Sequence, residues 1–539
     1  GQLLRQQMNT FYSGNNGRTG FLAFSGRFTG RTSSQFAWSD ADFLLGLPET
    51  LGRGLQSGTW GHRKWITGLY FQDDWRIHRS LTLNLGMRWE YHTPLVEVKD
   101  RQANFEMFSG KILLAGKDGN SRALYEPFTK DFQPRVGFAW SARDHLVVRG
   151  AYTISSFMEG TGTNLRLPLN PPFNQEFEGR YDSPSFQLPG STLSQGLTTL
   201  GAKDPFSGTN IRLWDPFVRP ANTQQWNLTV EYQLPAESVF TVGYIGQKGH
   251  RLVVPMPYRQ RILQPNGTVV ASPYLSGNPQ LSKITQISGT ASNGNQQYHG
   301  LQATYRKRFG GGLELLTNYT YSKGMSDAIG YYGEGGQAGS QSAYWQYLYD
   351  QKAEWGPTYF DATHMFNVSH VWDVPIGKGK WIGKGMPTVV DYIIGNWQIG
   401  GILTLRSGFP LTIRGPDNSG TLSRGARADR IATGGTLGEV GPGSRWFDTK
   451  AYAIAKSGTL GSAGNGTERG PSQKQYDVSI QKEFPLGEKA KLEVRGEFLN
   501  LTNTPQFNGP NRTVNSATFG EITSAQNERQ GQIALRITF

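Results

Sequence analysis

Residues 80–92 read SLTLNLGMRWEYH, and apolar and polar positions alternate along almost the whole run. Leu81, Leu83, Leu85, Met87, Trp89 and Tyr91 fall on one side, with Thr82, Asn84, Gly86, Arg88, Glu90 and His92 on the other. A side-chain period of two belongs to a strand; a helix would scatter these residues around its circumference. The run exceeds the roughly 5–6 residues common in globular sheets. It matches the roughly 9–11 tilted residues that cross a bilayer. The carboxyl end, RQGQIALRITF, repeats the pattern. Ile533, Leu535, Ile537 and Phe539 share one face, and Gln532, Ala534, Arg536 and Thr538 the other. A chain that stops on Phe inside such a strand is expected to pair it rather than leave an open edge. A closed barrel and a soluble sandwich both end this way, so the decision passes to the rest of the chain.

The alternation recurs at 223–234 (Trp226, Leu228, Val230, Tyr232), at 396–407 (Trp397, Ile399, Leu403, Leu405) and at 489–500 (Leu492, Val494, Phe498). Weaker copies lie near 2–12, 19–28, 62–77, 132–141, 145–157, 238–248, 296–309, 313–324, 362–375 and 473–484. With the terminal strand the pattern predicts about fifteen strands, and no segment carries convincing helical periodicity. The links between them are of two kinds. Short ones, rich in Gly, Pro and charge, fall at His78–Arg79, Ala142–Asp144, Pro235–Glu237, Gly310–Gly312 and Pro485–Glu488. Long ones fall between them near 29–61, 94–131, 158–222, 249–295, 325–361, 410–472 and 503–527. Links that long are rare in compact domains. Their strict alternation with tight turns predicts an all-β, antiparallel transmembrane β-barrel, short turns on the periplasmic side and long loops outside. One link breaks the rule: 376–395, IGKGKWIGKGMPTVVDYIIG, is long where a tight turn is expected, and reads as an extended, solvated basic turn. An odd strand count also makes 2–12 a descending strand, which predicts at least one further strand before it.

Composition narrows the classes. There is no cysteine, so neither disulfides nor cysteine-ligated metal is available. No run of 18 or more apolar residues exists, which excludes a transmembrane helix and leaves a barrel open. The formal charge of +13 invites a nucleic-acid reading, but Lys and Arg are scattered over polar strand positions and turns with no dense stripe. No nucleic-acid partner is expected. Gly1 opens the chain without a charged n-region or an apolar h-region, so no signal peptide is read in it. No linker divides the 539 residues, which read as one barrel domain.

Several blocks resemble the Oar-like branch of TonB-dependent outer-membrane receptors. They are YFQDDWRIHRSLTLNLGMRWEY at 70–91, DFQPRVGFAWS at 131–141, QQWNLTVEYQL at 224–234, YHGLQATYRKRFGGGLELLTNYTYSK at 298–323, GNWQIGGILTLRSGFPLTI at 395–413 and KLEVRGEFLNLTNTPQFNGPN at 491–511. The resemblance keeps its order over nearly the whole chain. In that family a carboxypeptidase-regulatory-like domain and a plug precede a barrel of about 22 strands, near the range of outer-membrane barrels. It implies a partial barrel at 1–539, with plug, regulatory-like domain, TonB box and signal peptide outside this chain. The implied partners are outer-membrane lipid, a TonB complex acting through the absent amino-terminal region, the barrel-assembly machinery reading the aromatic carboxyl end, and an unknown substrate (carbohydrate, peptide or protein). One departure stands out. Where the family often carries Asp-x-Arg-His, residues 361–364 read DATH, with Thr363 in place of Arg.

Catalytic patterns are missing. No histidine sits in H-E-x-x-H or in a paired metal spacing, and there is no G-x-S-x-G elbow. GKGKWIGKG at 377–385 misses the phosphate-loop spacing. Asp73 and Asp74 are strand neighbours and point to opposite faces. The sequons at Asn318 and Asn367 are by-products of polar alternation. No cofactor and no catalysis are expected. Aromatic residues at strand ends (Trp75, Trp89, Tyr91, Trp140, Trp226, Tyr232, Trp397, Phe539) suit a bilayer interface. The 325–361 loop carries Tyr331, Tyr332, Tyr344, Trp345, Tyr347, Tyr349, Trp355 and Tyr359. On an outer loop these rings either grip a ligand or pack the loop.

The reading is a transport or receptor barrel that moves a large or scarce substrate across the outer membrane. Its rivals are a surface adhesin that binds carbohydrate and, more distantly, a glycan-cleaving enzyme, which needs two carboxylates facing each other across a cleft. A soluble adhesin must carry polar residues where Leu81, Leu83, Leu85 and Met87 would meet lipid.

Overall fold

The structure is a computed structural model. It describes residues 1–10, 19–26, 28–29, 38–56, 58–107, 109–158, 164–180, 192–197, 210–275, 284, 286–309, 312–328, 344–487 and 489–539. Among these residues, fourteen long strands form an antiparallel meander in which each pairs with the next in sequence. They are β1 (Gln2–Thr10), β2 (Trp60–His78), β3 (Leu81–His92), β4 (Phe132–Arg143) and β5 (Leu146–Phe157). There follow β6 (Ala221–Leu234), β7 (Ser238–Pro257), β8 (Gln286–Phe309), β9 (Leu313–Ser326) and β10 (His364–Asp373). The last four are β11 (Gln398–Arg406), β12 (Gln473–Leu486), β13 (Ala490–Leu499) and β14 (Gln530–Thr538). Val96–Glu97, Asn210–Trp214 and Gly356–Pro357 add short pieces, making a 17-stranded sheet.

One expected strand is absent from the wall. Among the described residues of 19–28, only Phe21–Ala23 is extended, and it pairs with Thr50–Gln56 in a separate three-stranded sheet completed by Asn174–Arg180. β1 pairs directly with β2 instead. A three-residue alternation is too short to distinguish a wall strand from a loop strand. The correction reverses the topology argument: with an even count and β14 descending, β1 ascends. The parity ground for a missing strand therefore falls. Among the described residues no ladder joins β1 to β14, so both are sheet edges.

The register sorts the side chains. Residues directly opposite in an antiparallel pair share a face. Trp75, Leu83, Phe138, Gly150, Leu228, Tyr244, Leu301 and Tyr321 stand opposite one another in turn from β2 to β9. Trp372, Ile399, Ile480, Gly496 and Ile533 continue the same face from β10 to β14. The other face reads Asn84, Gly137, Ala151, Asn227, Ile245, Gly300 and Ser322 from β3 to β9, small or polar with Ile245 the exception. The apolar face is bare: Phe71 is 70% exposed, Trp75 55%, Leu228 49% and Leu301 46%. So wide an apolar band is a liability in water and the natural surface of a wall in lipid. Leu81, Leu83, Leu85, Met87, Trp89 and Tyr91 all lie on it, as do Ile533, Leu535 and Ile537.

A wall with lipid on one side and polar groups on the other buries little of itself. The three buried apolar clusters therefore lie chiefly in the long links and the outer ends of the strands. One gathers Phe105, Ile211, Leu213, Val254, Met256 and Trp345 with neighbours. A second joins Leu124, Tyr125, Leu167, Trp214 and Val218, and a third Ile413, Phe447, Tyr452 and Phe519. β7 and β8 run on together beyond their neighbours, and Asn210–Trp214 lies parallel to the outer end of β8. At the opposite end, the long link between β10 and β11 is not the extended, solvated turn expected of it: it holds a helix, Thr388–Ile394.

Candidate functional site

The long links meet through buried amides. Asn104 donates to the carbonyls of Leu124 (3.3 Å) and Trp214 (2.7 Å) and accepts from the Trp214 amide (3.0 Å). Asn170 donates to the carbonyls of Ala103 and Arg212 and accepts from the Arg212 amide. Together they fasten 93–131 to 158–220. Around them burial pushes the Tyr125 phenol up to about 12, while its oxygen accepts from the Leu95 amide. Buried backbone groups must find partners, and a side-chain amide supplies donor and acceptor together.

The aromatic loop is held in the same way. The Trp345 ring is buried in the first cluster and its indole N–H donates to the Asp327 carbonyl (2.6 Å). Next to it, Gln346 donates to the Gly461 carbonyl and accepts from the Arg427 amide, while Gln260 donates to the Gln346 carbonyl (2.7 Å). Arg427 pairs with Glu354 at 2.7 Å, both side chains only 4% exposed. The Tyr347 hydroxyl accepts from the Leu263 amide and the Tyr349 hydroxyl donates to the Gln260 carbonyl. The Arg424 guanidinium lies over the Tyr344 ring, 3.7 Å from its centroid. Links 258–285, 327–363 and 407–472 thus form one cross-braced layer.

The eight aromatic residues therefore divide. Tyr331 and Tyr332 lie outside the described residues. Trp345 is core, and Tyr344, Tyr347 and Tyr349 make contacts between links. Trp355 is exposed, and Tyr359 sits edge-to-face on exposed Phe360. Among the described rings of this loop, Tyr349, Trp355 and Phe360 are exposed and Tyr359 is half-exposed, Phe360 not being singled out by the sequence pattern.

Asp361, the first residue of the DATH segment, is buried and paired. The Asp361 carboxylate, 1% exposed, pairs with Arg469 at 2.8 Å and accepts from the Gly324 amide. A guanidinium from the 407–472 link thus meets the Asp at the head of β10. On the polar face, near the outer ends of β3 to β5, a mixed-charge cluster forms. Arg88 pairs with Glu90 (2.7 Å), Gln133 donates to Glu90 and Asp131, and the Ser156 hydroxyl donates to Asp131. Arg5, Arg63, Lys64 and Arg122, with Trp65 and Tyr125, line a cleft of about 460 Å³ beside β1 and β2. Among the described residues no group of three His, Asp or Glu side chains is placed to hold a metal ion.

The model of the outer membrane beta barrel domain family matches residues 1–532. The chain belongs to that family. This outer-membrane barrel domain is located in the bacterial outer membrane. Among solved structures it is similar to the outer membrane transporter YddB from Escherichia coli (9% identity, covering 89% of this chain and 45% of that one, TM-score 0.46). Another is the siderophore receptor PirA from Acinetobacter baumannii (10% identity, 90% and 46%, TM-score 0.43). A third is the FrpB iron transporter from Neisseria meningitidis (11% identity, 91% and 59%, TM-score 0.39). The chain spans about half the length of those proteins. No curated protein matches it.

Proposed function

We propose that this domain is the barrel part of a TonB-dependent, Oar-like receptor that moves a large or scarce substrate across the outer membrane. A plug and a TonB-contacting region belong to the amino-terminal part of the full protein. The observation that carries the reading is the pairing of a two-faced wall with a braced layer of long outer links. A wall with one face in lipid and one polar face forms a side of a water-filled passage, and links with their own buried cores make a rigid platform for capture. The ordered series of family-like blocks from 70–91 to 491–511 adds the TonB-dependent branch. The barrel binds and conducts, and does no covalent chemistry. Phe539, 96% exposed at the end of β14, is available to the barrel-assembly machinery.

An adhesin accounts less well for the wall, since the positions that must be polar in water are Leu81, Leu83, Leu85 and Met87. The test is growth and uptake in cells that carry or lack the intact protein, with and without a functional TonB complex. Candidate glycans, peptides and proteins are supplied in labelled form. Uptake or release that needs both the protein and TonB supports the reading. Binding at the surface that never leads to transport, and is indifferent to TonB, overturns it.

A further inference from the structure

The link 374–397 departs from a turn in a specific way. Its ends are tied by Val374 N–H to the Trp397 carbonyl (2.8 Å) and Asn396 N–H to the Ile376 carbonyl (3.0 Å). The lysine run is folded back on the helix, the Lys378 amide donating to the Asp391 carboxylate at 2.6 Å. This is a compact element, and the register says where it sits. Lys482 follows Ile480 and precedes Phe484 on the lipid-facing side of β12, opposite Val494. A bare ammonium there is costly, since lipid offers it no partners. Its ammonium instead donates to the carbonyls of Gly395 (2.6 Å) and Asp391 (3.2 Å), at the carboxyl end of the Thr388–Ile394 helix. Helix carboxyl ends leave carbonyls unpaired and carry partial negative charge, so lysine and helix satisfy each other. Tyr392 packs on Phe484 with ring centroids 5.3 Å apart, and Trp397 donates to the Ile393 carbonyl. The helix is therefore docked on the outer side of the wall.

What it shows to its surroundings is apolar: Trp381 is 81% exposed, Val389 74% and Ile393 61%, and Ile382, Val390 and Ile394 are also exposed. Exposed Lys378, Lys380 and Lys384 border this surface. An amphipathic element with an apolar face, an interfacial Trp and flanking lysines is built to lie in a membrane interface. It is continuous with the lipid-facing belt through Phe484 and Trp397, and its lysines complement anionic headgroups. We propose that residues 376–394 are an interfacial anchor seated in the periplasm-facing leaflet. Trp381, Val389 and Ile393 lie among acyl chains, and the three lysines lie against anionic phospholipid headgroups. The anchor fixes the depth and rotation of β10–β12 in the bilayer.

These 539 residues have no cysteine, so with any cysteine elsewhere in the intact protein replaced by serine, one added thiol reports on one place. The intact protein carrying Val389→Cys or, separately, Ile393→Cys is labelled with an environment-sensitive fluorophore. It is placed in phosphatidylcholine vesicles with or without phosphatidylglycerol. Insertion is checked with a label at Leu228→Cys, on the belt. The labels at 389 and 393 are expected to be quenched by phospholipids brominated on the acyl chain. They should be several-fold less quenched by aqueous iodide than a label at Lys380→Cys. Phosphatidylglycerol should shift their emission to the blue, and Lys378→Gln, Lys380→Gln and Lys384→Gln together should remove that shift. Ready quenching by iodide with none by brominated lipid overturns the proposal. Protection from both quenchers means that protein covers the helix, and overturns it too. A response identical in the two lipid mixtures overturns the headgroup assignment.

Discussion

Position 228 gives the cleanest test of which face meets lipid. Leu228 lies at the middle of β6, opposite Gly150 on β5 and Tyr244 on β7, with no acidic group across from it. Leu85 is less suitable, because it stands opposite Asp73 and an arginine there would gain a carboxylate partner. Leu228 lies seven positions from the first residue of its strand and six from the last. At ~3.4 Å per residue along a strand tilted about 40°, that is roughly 15–18 Å of height on either side, about half of a ~30 Å hydrocarbon core. An arginine at 228 therefore starts near the midplane with small or aromatic neighbours, and Leu228→Arg should cost about 2–4 kcal/mol. Asn227 is one residue away and faces Ala151 and Ile245 on the polar side. Asn227→Arg keeps its charge in water and should cost well under about 1 kcal/mol, as an ordinary solvated substitution does. The assay is equilibrium unfolding by guanidinium of the intact protein in phospholipid vesicles, with Leu228→Ala and Asn227→Ala as controls for lost packing. Equal costs at the two positions, or a larger one at 227, would refute the face assignment and the lipid-facing belt with it.

Five further outcomes are expected. Trp345→Ala should destabilise the loop layer by about 3–5 kcal/mol as a truncated core aromatic does, raising protease cleavage within 327–363 in intact cells. Trp355→Ala, on the surface, should leave cleavage unchanged and weaken ligand binding if the exposed rings make the contact. Glu354→Gln leaves the Arg427 charge buried and should cost roughly 3–5 kcal/mol; adding Arg427→Met should recover part of it, and a strictly additive double variant would deny the coupling. Burial holds the Glu468 carboxyl above its ordinary range, with the Tyr452 hydroxyl donating to it at 2.8 Å. A raised acid contributes stability that is full below the usual carboxylate range and lost as pH rises through the raised value. Protection against hydrogen exchange in 407–472, after correction for the intrinsic pH dependence of amide exchange, should therefore fall between acid and neutral pH, and Glu468→Gln should abolish that fall. Deleting Phe539 should lower surface abundance in cells more than it lowers stability after refolding; normal abundance would remove the assembly role.

The wall was legible because its signal is local. Leu81 to Tyr91 and Ile533 to Phe539 carry their faces in a two-residue period, and the register of neighbouring strands then follows from keeping like faces together. The same period misled at 19–28, where three alternating residues pair in a loop sheet. The links were legible in length and side, and in little else. Asn104, Asn170, Gln260 and Gln346 are the pins of the outer layer, yet an asparagine that braces two links looks in sequence like one that caps a turn. The partners they brace against are 20 to 161 positions away. Trp345 shows the same limit. Its neighbours in sequence marked it as one ring in an exposed aromatic set, while its neighbours in space, Ile211 and Met256, make it core.

The exceptions to the pattern carry more than the pattern does. Once a face is known to meet lipid, each polar residue on it demands a reason that a polar residue elsewhere does not. Lys482 breaks the run of Val478, Ile480 and Phe484, and the demand it creates is met by helix carbonyls from a link almost 90 residues earlier. The apolar surface of that helix then needs a place of its own, which the same bilayer provides. Asp361 works similarly at the outer end, where burial of its carboxylate calls for Arg469 from a distant link. In both cases the alternation alone fixes only which group is out of place. The partner is found by asking what that group, in that surrounding, must bond to.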